Sequence, residues 1–330
     1  MTRPHSPWAP VAALVLLISA LVVAFAWPTS RLAPHHLPVA VAGPPRAAHQ
    51  VQAQLDRALG PDAVDVTPVG DRHAVVAQIR HRAAYAGLVP PAGPGRPPEL
   101  LVASAASPAV AQGLTAAAET GAGGSAPKIT DVAPLPAADP HGAVFALATV
   151  PLVIGGILTG ALLALAVTDR RRRPVALVAV AVLAGAATTG VLDSWLGALA
   201  GAWIAEAAVI ALGITAVGAA LLGLHRLAGL PGLGLGAATM LLLGVPLSGA
   251  MSAPELLPAG WSTLGQLLPP GAAASALRST AFFDGNGSAG PLLVLGCWAA
   301  AGLLLLLLPG RSAHRRPAPE PGRVAVPAGR

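Results

Sequence analysis

Charge is what this chain has least of: 10% of its 330 residues are Asp, Glu, Lys or Arg, against about 25% in a soluble domain. A chain so poor in charge cannot clothe a water-facing surface, so its main solvent is lipid. Aromatic side chains are also scarce, at 3%, and Ala, Leu, Gly and Val stand in their place. Such a composition suits helices packed closely through small residues, because lipid supplies no hydrophobic drive between them. Lysine occurs once, at Lys128, against 19 arginines, a bias expected of a GC-rich bacterial genome. Cysteine occurs once, at Cys297 inside an apolar run, which excludes an intrachain disulfide and any metal site built on cysteines. The isoelectric point near 11.1 would suit nucleic acid, but the arginines sit beside apolar runs and are not interleaved with aromatics. That is a topology signal, so no nucleic-acid partner is expected.

What the chain does have is long apolar runs, with 54% hydrophobic residues and a mean hydropathy of +0.68. The first runs from Trp8 to Trp27, about the 20 residues needed to cross a bilayer, behind a short leader carrying Arg3. Ala24-Phe25-Ala26 has the form of a signal-peptide cleavage site, but the apolar core exceeds the roughly 7–15 residues of a signal's apolar region, so the segment reads as an uncleaved anchor. Five further runs follow at 142–168, 175–192, 198–224, 230–250 and 291–309, each long enough to span. Pro151 and Pro246 fall inside two of them and, lacking a backbone donor, are expected to kink the helix. Gly156 and Gly160, four residues apart, form a candidate helix contact.

Residues 28–141 are of another kind: eight basic residues balance eight acidic ones, and Pro and Gly punctuate the segment. Short apolar runs at Leu37–Ala42, Val64–Val69, Tyr85–Val89 and Leu100–Ala103 alternate with helical patterns at Ala47–Leu59, Asp71–Arg82 and Ser107–Glu119. Ile129–Pro136 completes the series as a last strand or extended linker. Strand and helix alternating in this way predict a small, mostly parallel sheet, in a segment long enough to have its own core. The expected fold class is therefore an α-helical membrane protein with six transmembrane helices and an extracytoplasmic α/β domain inserted between the first and second. Residues 1–27 are the cytoplasmic leader and first transmembrane helix, 28–141 the external domain, 142–310 a five-helix transmembrane domain, and 311–330 a disordered cytoplasmic tail. Within the membrane domain, 251–290 is too polar and proline-broken to cross; it is expected as an outer interfacial segment, a short helix lying in the interface or dipping back into the bundle.

Six alternating spans divide the loops into two sets. Arg3, Arg170, Arg171, Arg172, Arg173, Arg226 and the five arginines of the tail fall in one set, and Arg278 alone in the short loops of the other. Arginines gather on the cytoplasmic side, so both termini are expected in the cytoplasm of a cell-membrane protein and the 28–141 domain outside.

Chemistry-bearing patterns are few. In Gly121–Lys128 a proline precedes the lysine where a phosphate-binding loop needs glycine, so no ATPase motif is present, and no catalytic, cofactor or metal site is expected. Glu206 is the one carboxylate inside a span, with Asp193 in the preceding outer loop. An ionisable group there faces the bundle or a wet cavity, as a pathway residue or as a partly hydrated residue near the outer interface. In the outer segment, Trp261, Arg278, Phe282 and Phe283 are the candidate interfacial residues, with a plain amphipathic loop as the alternative. Arg170, Arg171, Arg172, Arg173 and Arg226 are candidates for topology or for cytoplasmic coupling.

The order of one anchor span, an external α/β domain and five spans with a proline-rich outer segment before the last resembles the ABC-2-type transporter permeases. It resembles especially their phage-infection-protein-like branch and its actinobacterial relatives. The stretches that carry the resemblance are Leu37–Gly43, Ile79–Val89, Ala103–Gln112, Pro246–Gly249 and Leu256–Phe283, and it extends over about residues 8–309. The resemblance implies an exporter permease working as a dimer with a separate ATP-binding subunit, whose motion is received by the inner loops Asp169–Pro174 and His225–Gly229. The expected function is thus export of a substrate by a partner ATPase through this chain. The alternative is a non-transporting envelope protein whose external domain binds a partner or anchors an assembly.

Overall fold

The computed structural model describes residues 8–91, 93, 96–121 and 126–307. The leader with Arg3, the arginines of the tail and the centre of the Gly121–Lys128 loop lie outside the described residues. Helix α1 (Trp8–Ser30) leads into a sheet domain with the order β1 (Leu37–Ala42), α2 (Pro45–Leu59), β2 (Val64–Val69), α3 (Arg72–Arg80), β3 (Ala86–Val89), β4 (Glu99–Val102), α4 (Pro108–Gly121) and β5 (Lys128–Asp131). The five strands lie in the order β2-β1-β3-β4-β5. All neighbours are parallel except β3 and β4, which pair antiparallel.

Local sequence accounts for these elements. Valines at Val39 and Val41 favour the pleated backbone of β1, and Pro45 opens α2 where a missing donor costs nothing. The Asp71 carboxylate accepts the Ala74 N–H at 2.9 Å and so caps α3. Both faces of the sheet are covered. Val75 of α3 lies against Gly87 of β3, where no Cβ would fit. On the other face Ala111 and Leu114 of α4 pack with Ala86, Leu88, Leu100 and Val102.

The rest of the chain is apolar helix: α5 (Ala143–Ala166), α6 (Arg173–Thr189), α7 (Trp203–Ala228), α8 (Leu230–Thr239), α9 (Trp261–Leu267), α10 (Pro269–Phe282) and α11 (Ala289–Leu307). A π-helical turn at Gly190–Trp195 extends α6, and another at Met240–Gly244 extends α8. Among the described residues four helices are long and apolar enough to cross a membrane: Ala143–Ala166, Arg173–Trp195, Trp203–Ala228 and Ala289–Leu306. This is the build of a membrane-embedded protein. Helix α7 is its axis, 67% buried over its apolar window against 17–28% for the other three. Neighbours approach it through glycines: Gly156 and Gly160 of α5, Gly185 of α6 and Gly302 of α11 all face α7, with no room for a Cβ at normal contact distance.

Four sequence expectations need correction. The span expected at 230–250 is shorter, because helical structure ends at Gly244. Ten α-helical residues and a five-residue π turn reach about 22 Å, short of the ~30 Å hydrocarbon core. Pro246 does not kink this helix but lies beyond its end; Gly244 sits against the Pro270 ring and the chain turns there. The span expected at 198–224 begins only at Trp203, so Glu206 belongs to its first turn. Asp193 is not in a loop but in the π turn that lengthens α6. Within 251–290, α10 is buried along nearly its whole length and packs among Ile210, Ile214 and Leu295 of α7 and α11. Of the two forms expected for this stretch, the one that dips into the bundle is the one observed.

Candidate functional site

The polar groups of the molecule converge where the sheet domain sits on the helix pair α9–α10. The sheet domain sends down the end of α3. Residue Arg82 adopts a left-handed backbone (φ 58°), a conformation that costs a non-glycine residue about 1 kcal/mol. Its Nη1 donates to the Ser275 carbonyl at 3.0 Å and to the Ser279 hydroxyl at 2.6 Å, both on α10. The same guanidinium lies 5.6 Å from the centre of the Phe283 ring. Beside it, His81 Nδ1 lies 3.3 Å from Asn286 Oδ1.

The second tie is Tyr85, whose hydroxyl donates to Glu255 Oε2 at 2.5 Å. Glu255 is held in a short 3₁₀ turn, Pro254–Leu256. Its backbone carbonyl accepts the His35 N–H at 2.8 Å, and the Leu256 carbonyl accepts Ala33 N–H at 3.1 Å. The stretch after α1 is thereby stitched to the same turn.

Arg278 provides the third tie from within the bundle. It is 3% exposed, Nη2 donates to the Ala250 carbonyl at 2.7 Å, and its guanidinium lies 5.0 Å over the Phe145 ring of α5. Gln266 of α9 completes the network: it donates to the Ser248 carbonyl at 3.0 Å and accepts from the Ser275 hydroxyl at 2.6 Å. In lipid, polar backbone and side-chain groups must find partners within the protein, and each of these does.

Burial first, and then the adjacent Glu255 carboxylate, hold the Tyr85 phenol well above its usual range. Tyr85 is the chain's only tyrosine, so its ionisation can be read without interference. A raised folded value means stability that is complete below the unfolded value near ~10 and lost as pH rises beyond it. The tyrosinate absorbance band is expected to stay absent while the protein is folded and to appear only together with alkaline unfolding. A freely reversible titration at the ordinary phenol value, with the fold intact, would contradict the buried Tyr85–Glu255 bond.

The residues singled out from sequence are distributed as follows. Arg278 and Phe283 are buried in the seam, and Phe282 is half-buried with its ring 5.6 Å from that of Phe145. Trp261 lies apart, edge-on to Trp27 of α1 at 5.6 Å. Glu206 is fully buried; its Oε1 accepts the Gly201 N–H at 2.8 Å, and Oε2 has no hydrogen-bond partner among the described residues. Asp193 is half-buried, one loop away. At the other end of the bundle Arg173 caps α5, donating to the Val167 and Ala164 carbonyls at 3.0 and 2.8 Å, as a cation at a helix C-terminus does. Arg172 pairs with Asp169 at 3.2 Å, Arg170 and Arg171 are exposed, and Arg226 lies half-buried in the last turn of α7.

Sequence reasoning passed over Arg82, Tyr85, Glu255, Gln266, Ser275 and Ser279. A usable signal existed: a lone tyrosine, and polar residues placed within the proline-broken stretch of an otherwise apolar half. Among the described residues no group of three His, Cys, Asp or Glu side chains converges as a metal site would need. No protein-family model, curated protein or solved structure compared with the chain matches it.

Proposed function

We propose that the chain is the membrane-spanning permease subunit of an ABC-2-type exporter, with six crossings, both termini in the cytoplasm and the sheet domain outside. The observation that carries this reading is the helix pair α9–α10, set between the fifth and sixth apolar helices and joined to the sheet domain by Arg82 and Tyr85. In this reading α1 is one further crossing and α8 with its π turn, continued by the turn at 245–247, is the other, and the arginine asymmetry sets the orientation. A rearrangement of α7 against α10 is passed through the seam to the external domain. The substrate leaves with energy supplied by a separate ATPase, and a second copy of the chain completes the pathway.

A second reading, an envelope protein that does not transport, draws on the inner connections. Residues 167–172 join α5 to α6, and Gly229 alone separates α7 from α8. These are small elements from which to receive the stroke of a partner. Purification from the native membrane separates the two. The exporter reading expects an ATP-binding protein to co-purify, and deletion of the chain to lower efflux. No such partner, no efflux change, and full function from the external domain tethered by an unrelated span would overturn it.

A further inference from the structure

The outer end of α7 carries a groove that the seam does not use. It encloses 540 Å³ and descends past Ala202, Ala205 and Ala208 to Leu212, with Leu292 of α11 on the facing wall. Ala202 to Leu212 measures about 15 Å along the helix axis, the depth of hydrocarbon in one leaflet. Each alanine stops at Cβ, and the width of the groove is the space that longer side chains would take.

At its outer end the lining changes. Thr280 closes one side, and Asp284 and Ser288 come from the turn that precedes α11. The Thr280 hydroxyl donates to the Ala276 carbonyl at 2.9 Å, so its proton is already used. The turn is fixed: Asp284 has φ 52°, and the Gly285 and Asn286 N–H groups donate to the Ser279 and Phe283 carbonyls at 2.9 Å each. The Asp284 carboxylate is exposed and, among the described residues, makes no hydrogen bond or ion pair. No arginine, lysine or histidine lines the groove. An apolar shaft about one leaflet deep thus ends at a carboxylate that no basic side chain of the lining pairs; the nearby Arg82 is engaged by Ser275 and Ser279.

We infer that this groove binds an amphiphile with an ammonium headgroup, its hydrocarbon chain along α7 and its nitrogen against the Asp284 carboxylate. The complementarity is one of charge and of length. An anionic head would meet only Asp284 and hydroxyl oxygens, and a head without charge would leave the carboxylate unpaired. An amine-bearing bilayer lipid and a free long-chain amine share this chemistry. The inference rests on the chain lying in a membrane, and it stands whether or not a partner ATPase exists.

The test uses the full chain in non-ionic dodecylmaltoside micelles, titrated with tritiated hexadecylamine and, separately, with hexadecanol. Saturable binding of the amine is expected, weakened about tenfold or more by Asp284→Asn, equivalent to about 1.4 kcal/mol, with hexadecanol unaffected by the substitution. Asparagine also tolerates the left-handed backbone, so the turn is kept. Ala208→Phe, which fills the shaft, is expected to weaken both ligands. Competition by phosphatidylethanolamine with the same Asp284 dependence identifies the occupant as bilayer lipid; its failure to compete identifies a free amine. Equal amine binding by the unsubstituted chain and Asp284→Asn, or uptake no greater than that of empty micelles, overturns the inference.

Discussion

Arg278→Ala is expected to lower the stability of the folded chain by about 3 kcal/mol or more, measured by equilibrium unfolding in mixed micelles. Three losses combine. The Ala250 carbonyl loses its 2.7 Å donor and stays buried without a partner, a cost of about 1–3 kcal/mol. The Phe145 ring loses the cation that lies 5.0 Å over it. A cavity opens at a site that is 3% exposed, with the cost that large-to-small changes carry in any packed interior. Arg278→Lys is expected to recover less than half of the loss, because an ammonium lacks the planar fork that serves carbonyl and ring at once. Arg278→Ala with unchanged unfolding would mean that the guanidinium is held by solvent and not by the seam.

A comparable loss is expected from Gly302→Leu, for the opposite reason. Gly302 of α11 faces the backbone of Ala219 and Ala220 on α7, while Gly223 of α7 faces Gly302 in return, its would-be Cβ 3.2 Å from the Gly302 Cα. Here two helix backbones touch, and a side chain has nowhere to go but between them. Overpacking of this kind costs about 1–3 kcal/mol where side chains can move aside, and more where the obstacle is main chain. The control lies on the same helix: Gly296 has nothing within 4 Å of its would-be Cβ. Gly296→Leu is expected to stay within about 0.5 kcal/mol of the parent. The readout is the folded fraction recovered in dodecylmaltoside after stepwise heating; equal behaviour of the two variants would refute the close approach of α7 and α11.

The sheet domain was legible to the residue in places. Strands β1 and β2 occupy Leu37–Ala42 and Val64–Val69, the same stretches that stand out as short apolar runs between turn residues. Strand period and turn chemistry are local properties, and a single sequence carries them. Helices α5 and α11 were legible for the same reason, since length and apolarity suffice to find them. The parts less legible depend on partners distant in sequence. Ser275, Arg278 and Ser279 make α10 look like a surface helix, yet it is buried because Gln266, Ala250 and Arg82 satisfy those groups. Nothing within α10 itself announces Arg82, nearly two hundred residues earlier. The early end of α8 has a similar cause: the contact of Gly244 with Pro270 joins two segments that a linear pass treats separately.

Arg82 and Tyr85 also bear on how such a chain could be taken apart. The portion between the first and second apolar helices looks like a detachable module, an insert that could be excised or exchanged for a foreign one. The seam argues otherwise, because the insert's Arg82 bonds the Ser275 carbonyl and the Ser279 hydroxyl of α10, and its Tyr85 bonds Glu255. Cut the insert away, and those groups would lose the partners that satisfy them. A successful graft must therefore bring along an arginine and a tyrosine in the loop after its second helix, where Arg82 and Tyr85 stand between α3 and β3, whatever the remainder of its surface is built to do.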